Sequence, residues 1–388
     1  MSEIRRDKKG RKLKDGESQR KDGRYQFRYT DISGERRYLY DWDLDKLRAK
    51  EKDISFQLSQ GVTYFGGSVP FSDMVQKLFT LKPKWKESTR ATMIRYLGIV
   101  KKSPLYNMQT NKIKMIDCKT YVVSLHEQGY AYGTIASVFT ILKESFELAC
   151  ESEAIVKNPC SFKLKSLIPD DTAEVVALTE EQERSLFKFL NADTYGLRHL
   201  DMFTVLLGTG LRISEFAALT VKDIDFENNV VHVDKQIIRL VGELKITRPK
   251  SKAGYRDIPM TKEVREAFEN MIERRKNIKL DVMIDGYVGF ISVTRNGRPR
   301  THSEYADAVR KLIARYNEHS NLPIERCTPH TLRHTFSTKC VAAGMDVKTV
   351  QYLMGHSDAC TTLNVYTNAF EKNIYSGMES VKINRYGT

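Results

Sequence analysis

No C-x-x-C pair occurs in the sequence, and its six cysteines, at 118, 150, 160, 327, 340 and 360, are widely scattered. That absence removes the common structural zinc modules and leaves reduced, scattered thiols as the expectation; no local signature marks any of them as a nucleophile. Nor is there a G-x-x-x-x-G-K-[ST] loop, so nothing in the chain is built to cradle a nucleotide triphosphate. Long apolar runs are missing as well. The most apolar stretch, Met202 to Gly208, is far too short to span a bilayer, and the charged N-terminus is unlike a secretory signal. The expectation is a soluble cytoplasmic protein with no membrane partner. Histidine is scarce too, eight in 388 residues, which makes its distribution informative: three of the eight, His330, His334 and His356, fall in one short stretch near the C-terminus together with Arg333 and Tyr366.

What is abundant is positive charge. A net charge of +14 makes the chain a polycation at neutral pH and points to a polyanionic partner such as nucleic acid, without choosing between DNA, RNA and anionic lipid. The first thirty residues carry eleven Lys or Arg against five Asp or Glu. Up to Lys21 they are so poor in apolar residues that the segment is not expected to fold alone. Alternating aromatic and polar residues then follow over 24–30 and 36–42, around Ile32-Ser33-Gly34-Glu35. This predicts a hairpin, with a helix over 43–60 packed on one face. Arg24, Arg28, Arg36 and Arg37 fall on this ribbon, narrow enough to enter a DNA groove; a solvated outer face would give the same pattern.

Glycines between 61 and 67 mark a linker. Four amphipathic helices are predicted at 71–81, 87–102, 115–128 and 132–152. The second carries Lys86, Arg90 and Arg95 beside an apolar face of Met93, Ile94, Leu97, Ile99 and Val100. Those cations suit a duplex backbone, and they suit plain solvation equally well. A polar link at 167–172 precedes Thr179 and Gln182, which have capping-box spacing. Beyond it the pattern predicts helices at 179–191 and 195–207, strands at 229–233, 236–240, 244–247 and 255–259, then helices at 261–277, 303–318, 330–344 and 347–354, with a tail helix over 371–381.

Suppose the polyanion is a DNA phosphodiester. Attack at phosphorus builds charge on two non-bridging oxygens, for which paired guanidiniums are the fitting clamp. A phenol with a pKa of about 10 needs a base or a positive field to ionise, histidine accepts that proton near neutrality and lysine returns one to the leaving oxygen. Arg212 and Arg333 are the candidate clamp. Taken singly, each residue has an ordinary alternative: a surface charge for Arg212, a cap and an interhelix bond for His330 and His334, a helix C-terminal cation for His356, packing for Tyr366.

Taken in order, they carry a resemblance. Gly210-Leu211-Arg212-Ile213-Ser214-Glu215, Ser251-Lys252-Ala253-Gly254, His330-Thr331-Leu332-Arg333-His334, Leu353-Met354-Gly355-His356 and Tyr366 are similar to the motif series of the tyrosine recombinases of the integrase family, and more narrowly to the integrases of conjugative transposons. Tyr366 lies ten residues after His356, where many members have nine, and Lys250 competes with Lys252 for the lysine position. The resemblance implies a small α+β arm-binding domain with a basic tail over 1–66, an all-α core-binding domain over 67–168, and a mainly α catalytic domain with a small antiparallel sheet over 169–388. It implies that Tyr366 forms a 3′-phosphotyrosyl link, that Arg212, Arg333 and His356 hold the phosphate, that His330 assists deprotonation and Lys252 protonates the 5′-oxygen, with Glu215 and His334 in support. No metal or other cofactor is called for. The implied partners are core-type and arm-type attachment-site DNA, a homo-tetramer that works through a Holliday junction, an accessory excision factor and a host DNA-bending protein. The tail beyond Tyr366, with Phe370, Ile374, Tyr375 and Met378 as an apolar stripe, suits docking on a neighbour or on its own domain. The rival readings are a type IB topoisomerase, which rejoins the same strand, and a non-catalytic DNA-binding regulator.

Overall fold

The computed structural model describes residues 5–30, 36–59, 69–82, 85–240, 242–249, 251–359 and 362–363. The turn at 32–35, the linker at 61–67, Lys250, Tyr366 and the tail helix with its apolar stripe lie outside the described residues. The chain divides into two compact units, Met1–Ala173 and Glu174–Thr388.

The first unit opens on a three-stranded antiparallel sheet, β1 (Glu17–Gln19), β2 (Tyr25–Thr30) and β3 (Arg36–Asp41), in that order. Alternation sends Tyr25, Phe27 and Tyr29 of β2 inward, and Tyr25 packs with Leu44 and Leu47 of helix α1 (Leu44–Ser59). One expectation is corrected here: the ribbon has three strands, not two. The basic N-terminal stretch, not expected to fold alone, is folded onto it. That stretch buries Leu13 and Glu17, and Glu17 accepts from Arg48 Nε at 2.8 Å and Nη2 at 2.9 Å and from the Lys14 amide at 2.7 Å. A segment too polar to fold alone orders here because a neighbouring sheet and helix complete its bonding.

A separate core follows in helices α2 (Phe71–Leu81), α3 (Glu87–Val100), α4 (Met115–Glu127) and α5 (Tyr132–Glu151). Phe71 stacks on Phe146 with ring centroids 4.2 Å apart. One residue assigned to the apolar face of α3 departs from it: Ile94 is 52% exposed, whereas Met93 and Leu97 pack against the core. Residues three and four apart share a helical face, and Ile94 lies outside the stripe that Met93, Leu97 and Val100 define.

The second unit begins with α6 (Glu180–Ala192), whose capping box forms as expected: the Gln182 amide donates to Thr179 Oγ1 at 3.1 Å and the Thr179 amide to Gln182 Oε1 at 3.1 Å. The single helix expected over 195–207 is two: a turn, α7 (Thr194–Leu197), capped by Asp193, and α8 (Leu200–Thr209). The apolar run that was too short for a membrane is α8. It is apolar on all sides because it is buried, packed between α10 (Lys262–Lys276) and α12 (Pro329–Ala342). After the short helix α9 (Ile213–Phe216), β4 (Ile224–Asp225), β5 (Val230–Val233) and β8 (Arg256–Pro259) make one antiparallel sheet in the order β4-β5-β8. The strands β6 (Gln236–Leu240) and β7 (Glu243–Thr247) pair only with each other. Helices α11 (His302–His319) and α13 (Val347–Met354) complete the unit. Among the described residues no helix is long and apolar enough to cross a membrane.

Candidate active site

Two left-handed glycines build the centre of the site. Gly210 ends α8 at φ +62°, and a Cβ there would stand 2.3 Å from the Phe336 ring of α12; Gly355 ends α13 at φ +60°, where a Cβ would meet Arg256 Nη1 at 2.9 Å and the Ala253 carbonyl at 3.0 Å. Left-handed backbone and close approach together call for glycine. The consequence is that three chain segments far apart in sequence, 210–215, 253–256 and 353–356, meet through backbone.

Arg333, from the first turns of α12, is buried. Its Nη1 donates to the Gly210 carbonyl at 2.7 Å and its Nη2 to the Met354 carbonyl. Arg212 caps α9. Its Nη1 donates to Glu215 Oε1 at 2.8 Å and its Nη2 to the Gly355 carbonyl at 3.1 Å. Burial and the nearby charge of Arg212 pull the Arg333 guanidinium down to about 9, still protonated at neutral pH.

Glu215 is inside the protein and shared. Arg256, which sequence reasoning did not single out, donates to it from Nη2 at 2.8 Å and Nη1 at 3.2 Å, and from Nε to the Leu353 carbonyl at 2.7 Å. Burial pushes the Glu215 carboxyl up, but Arg256 and Arg212 pull harder the other way and hold it below the usual carboxylate range. A signal for Arg256 existed in the strand alternation: it has the same parity as the buried Ile258 of β8, so it points inward.

His330 lies on the second residue of α12, open to solvent. Burial of part of its ring, then the charges of Arg333 and Arg212, lower its pKa. His356 follows Gly355, with Nδ1 3.0 Å from Thr362 Oγ1. Burial, then Arg333, Arg212 and Arg256, push it down to about 4, so it is a neutral imidazole and not the helix-end cation considered from sequence. His334, one turn along from His330, is half-buried, with its pKa lowered by burial and by His330. No hydrogen bond joins the two rings.

Lys252 is exposed at the head of a short turn, Lys252–Gly254. The turn is not a hairpin tip: it joins β7 of one sheet to β8 of the other. The next carbonyl, that of Ala253, abuts Gly355, which brings the lysine's turn to the edge of the segment that Arg212 and Arg333 bond.

In the first unit the predicted DNA contacts separate. Register places Arg28 opposite Tyr38 and Thr30 opposite Arg36 on the outer face of the sheet, whereas Arg37 pairs with Tyr29 on the helix side. Arg24 is bound to Asp22 at 2.8 Å and lies over the Tyr40 and Trp42 rings; Trp42 is 70% exposed. On α3, Lys86, Arg90 and Arg95 are all exposed, and Arg95 lies over the Tyr96 ring. Among the described residues no cluster of His, Cys, Asp and Glu is arranged to hold a metal.

Comparison with known proteins places this geometry. The family model described as phage integrase matches residues 177–373, and one described as the DNA-binding domain of Tn916 integrase matches residues 1–58. The transposase from transposon Tn916 of Enterococcus faecalis is 39% identical over 384 residues, covering 95% of this chain and 94% of that protein. The transposase from transposon Tn1545 of Streptococcus pneumoniae matches to the same extent. A structure of the Tn1549 transposon integrase in complex with transposon right end DNA is 36% identical, with a TM-score of 0.75, covering 81% of this chain and 99% of that one. A lambda integrase tetramer bound to a Holliday junction, at 16% identity and a TM-score of 0.55 over 90% of this chain and 97% of that one, shares the fold. On this evidence the chain belongs to the phage integrase family, within the branch of conjugative-transposon integrases, and is a tyrosine-type site-specific recombinase.

Proposed function

We propose that the second unit cleaves and rejoins duplex DNA through Tyr366, with Arg212, Arg333 and His356 holding the scissile phosphate. The phenolate oxygen of Tyr366 attacks phosphorus, the bond to the 5′-oxygen breaks, and a 3′-phosphotyrosyl link conserves the phosphodiester energy. His330, kept in its proton-accepting form by partial burial and by the guanidiniums beside it, takes the phenol's proton. Lys252 returns one to the departing 5′-oxygen; Lys250 is the alternative donor. Glu215 fixes the Arg212 fork, and His334 packs beside His330 in support. The observation that carries the reading is the convergence of Arg212 and Arg333 on the backbone of Gly210, Met354 and Gly355, with His330 and His356 neutral around them.

Division of labour follows the domains read from sequence. Residues 1–66 bind arm-type sites through the outer sheet face bearing Arg28 and Arg36, with Arg24 stacked on its aromatics. Residues 67–168 bind core-type DNA through α3, with Lys86, Arg90 and Arg95 on phosphates. Residues 169–388 carry the chemistry. Strand exchange proceeds one strand at a time through a Holliday junction in a homo-tetramer, assisted by an excision factor and a host DNA-bending protein, in the cytoplasm. DNA complexes of the Tn1549 integrase and the junction-bound lambda integrase tetramer support this reading.

The test is to incubate wild-type and Tyr366→Phe protein with paired attachment-site duplexes and with a supercoiled plasmid lacking them. Wild-type protein is expected to give site-dependent recombinants and a covalent protein–DNA band that Tyr366→Phe loses without losing binding. Relaxation alone would favour a topoisomerase, binding without any covalent band a regulator, and an undiminished band in the variant another nucleophile.

A further inference from the structure

At the other end of α8 from the clamp, the second unit holds another group of guanidiniums. A cavity of about 210 Å³ opens between the start of α8, the last turn of α10 and residues 291–300. Four arginines line it, and two are already neutralised. Arg274 is held by Asp201, and Arg275 lies 2.7 Å from Asp281 while donating to the Phe290 and Ile278 carbonyls. Arg198 and Arg300 have no carboxylate partner among the described residues, and no Asp or Glu lines the cavity.

Two further groups face the same space. Tyr305, only 2% exposed, donates its hydroxyl proton to Ser292 Oγ at 2.6 Å. A hydroxyl that is already accepting has its own proton to give, and no described acceptor takes it. His199 sits beside the two unpaired arginines; burial, then Arg300 and Arg198, push it down to about 4. The cavity is therefore lined with donors and uncompensated positive charge, a poor arrangement unless an anion completes it.

We infer that this cavity is a second phosphate site of the catalytic unit, taking a backbone phosphodiester of the substrate duplex through Arg198, Arg300 and Ser292. The inference rests on the DNA-cleaving reading above. Ten residues of α8 at about 1.5 Å each separate the cavity from the clamp by roughly 15 Å. Phosphates of one strand advance about 3.4 Å along the duplex axis. A duplex on the surface of the unit, with its axis parallel to the buried α8, would thus place a phosphate about four to five nucleotides from the scissile one at this cavity. Such a contact carries no base information; it fixes where along the strand the scissile phosphate lies.

The experiment uses the full chain and a crossover-site duplex, with affinity measured by fluorescence anisotropy across a series of salt concentrations. The Arg198→Gln/Arg300→Gln double variant is expected to bind about tenfold more weakly, equally for matched and unmatched sequences, and to lower the slope of log Kd against log salt by about 1. A duplex carrying one uncharged methylphosphonate four or five nucleotides from the scissile phosphate should reproduce the loss for wild-type protein and cause no further loss for the double variant. Arg300→Lys should retain the slope. If the Arg300 variants fail to fold, Arg198→Gln at its exposed position and the methylphosphonate series decide the matter. Wild-type protein that does not bind duplex would defeat the DNA reading itself. Wild-type binding with an unchanged slope in the variants, or strict additivity with every methylphosphonate position, would defeat only the cavity. Inorganic phosphate binding that Arg300→Gln abolishes while the DNA slope stays unchanged would make it a site for a free anion and would also overturn the proposal.

Discussion

Replacing Arg256 by methionine tests whether the clamp is built on a buried ion pair. Methionine keeps much of the side-chain volume, removes the charge that faces Glu215 and leaves the Leu353 carbonyl without its donor at 2.7 Å. The side chains of Arg256 and Glu215 are 0% and 4% exposed. Removing one partner of such a pair costs about 3–5 kcal/mol, because the other is left buried and uncompensated. Arg212 still shares Glu215 at 2.8 Å, so the lower end, about 3 kcal/mol, is expected. For a unit of 215 residues (174 to 388), each kcal/mol moves the midpoint by about 2–4 °C, giving a fall of about 6–12 °C in the calorimetric transition of the catalytic unit. Acidification supplies an independent check. The Glu215 carboxyl is depressed in the folded state, so its contribution is present above the unfolded value and fades as pH falls through the folded one. The gap between wild type and variant should accordingly be widest near pH 7.5 and narrow below about pH 4.5. A midpoint within about 2 °C of wild type at pH 7.5, or a gap that widens in acid, would refute the reasoning.

Three more expectations follow from the same geometry. Arg212→Lys keeps the charge and loses the planar fork, so cleavage of a crossover-site duplex should fall by about 10²–10³ with affinity little changed; near-normal cleavage would remove Arg212 from the clamp. His356 is held down to about 4, below its unfolded value, so it contributes stability above about pH 6.5 that is lost as pH falls toward 4. Thermal melts of His356→Gln should lose less stability than wild type between pH 7 and pH 5, and equal losses would contradict the burial argument. Deleting residues 1–60 should weaken binding to arm-type sites and spare crossover-site binding in gel-shift assays, whereas equal loss at both would contradict the division of labour.

What was legible in the sequence was periodic or local. Helices α2 to α5 and α10 to α13 follow from apolar spacing, and the capping box at Thr179 from two residues. Packing decided the rest. Asp193 caps the start of α7, and the break from α8 falls at Arg198–His199, where the His199 amide bonds back to the Gly196 carbonyl; these are local bonds that apolar spacing does not register. The basic N-terminus looked unable to fold because its bonding partners, Arg48 and the edge of β2, lie outside it. In the site, motif order brought out Arg212, His330, Arg333 and His356, all of which gather at the Gly210 and Gly355 turns. It did not bring out Arg256, whose importance lies in a contact with a glutamate 41 residues earlier. Charge counting hides such a residue among 63 cations; strand parity shows only that it points inward.

The charge balance of the assembled site adds to burial in setting the state of its histidines. Three guanidiniums, those of Arg212, Arg256 and Arg333, gather around one carboxylate, Glu215, an excess of two positive charges before substrate arrives (three minus one). An arginine has five N–H donors. Arg212 and Arg333 each commit two to the protein, and Arg212 is the more exposed of the pair. That excess matches the two negative non-bridging oxygens of the pentacoordinate phosphate in the proposed reaction. Burial first, and then this charge, keeps both rings deprotonated: Arg333 and Arg212 act on His330, and Arg333, Arg212 and Arg256 on His356. When a phosphodiester enters, its single negative charge lowers that excess from two to one, so the field that disfavours protonation of both rings weakens and their proton affinity rises. In the proposed reaction, that would make His330 a stronger base when the Tyr366 phenol is to be ionised, with the substrate itself supplying the change.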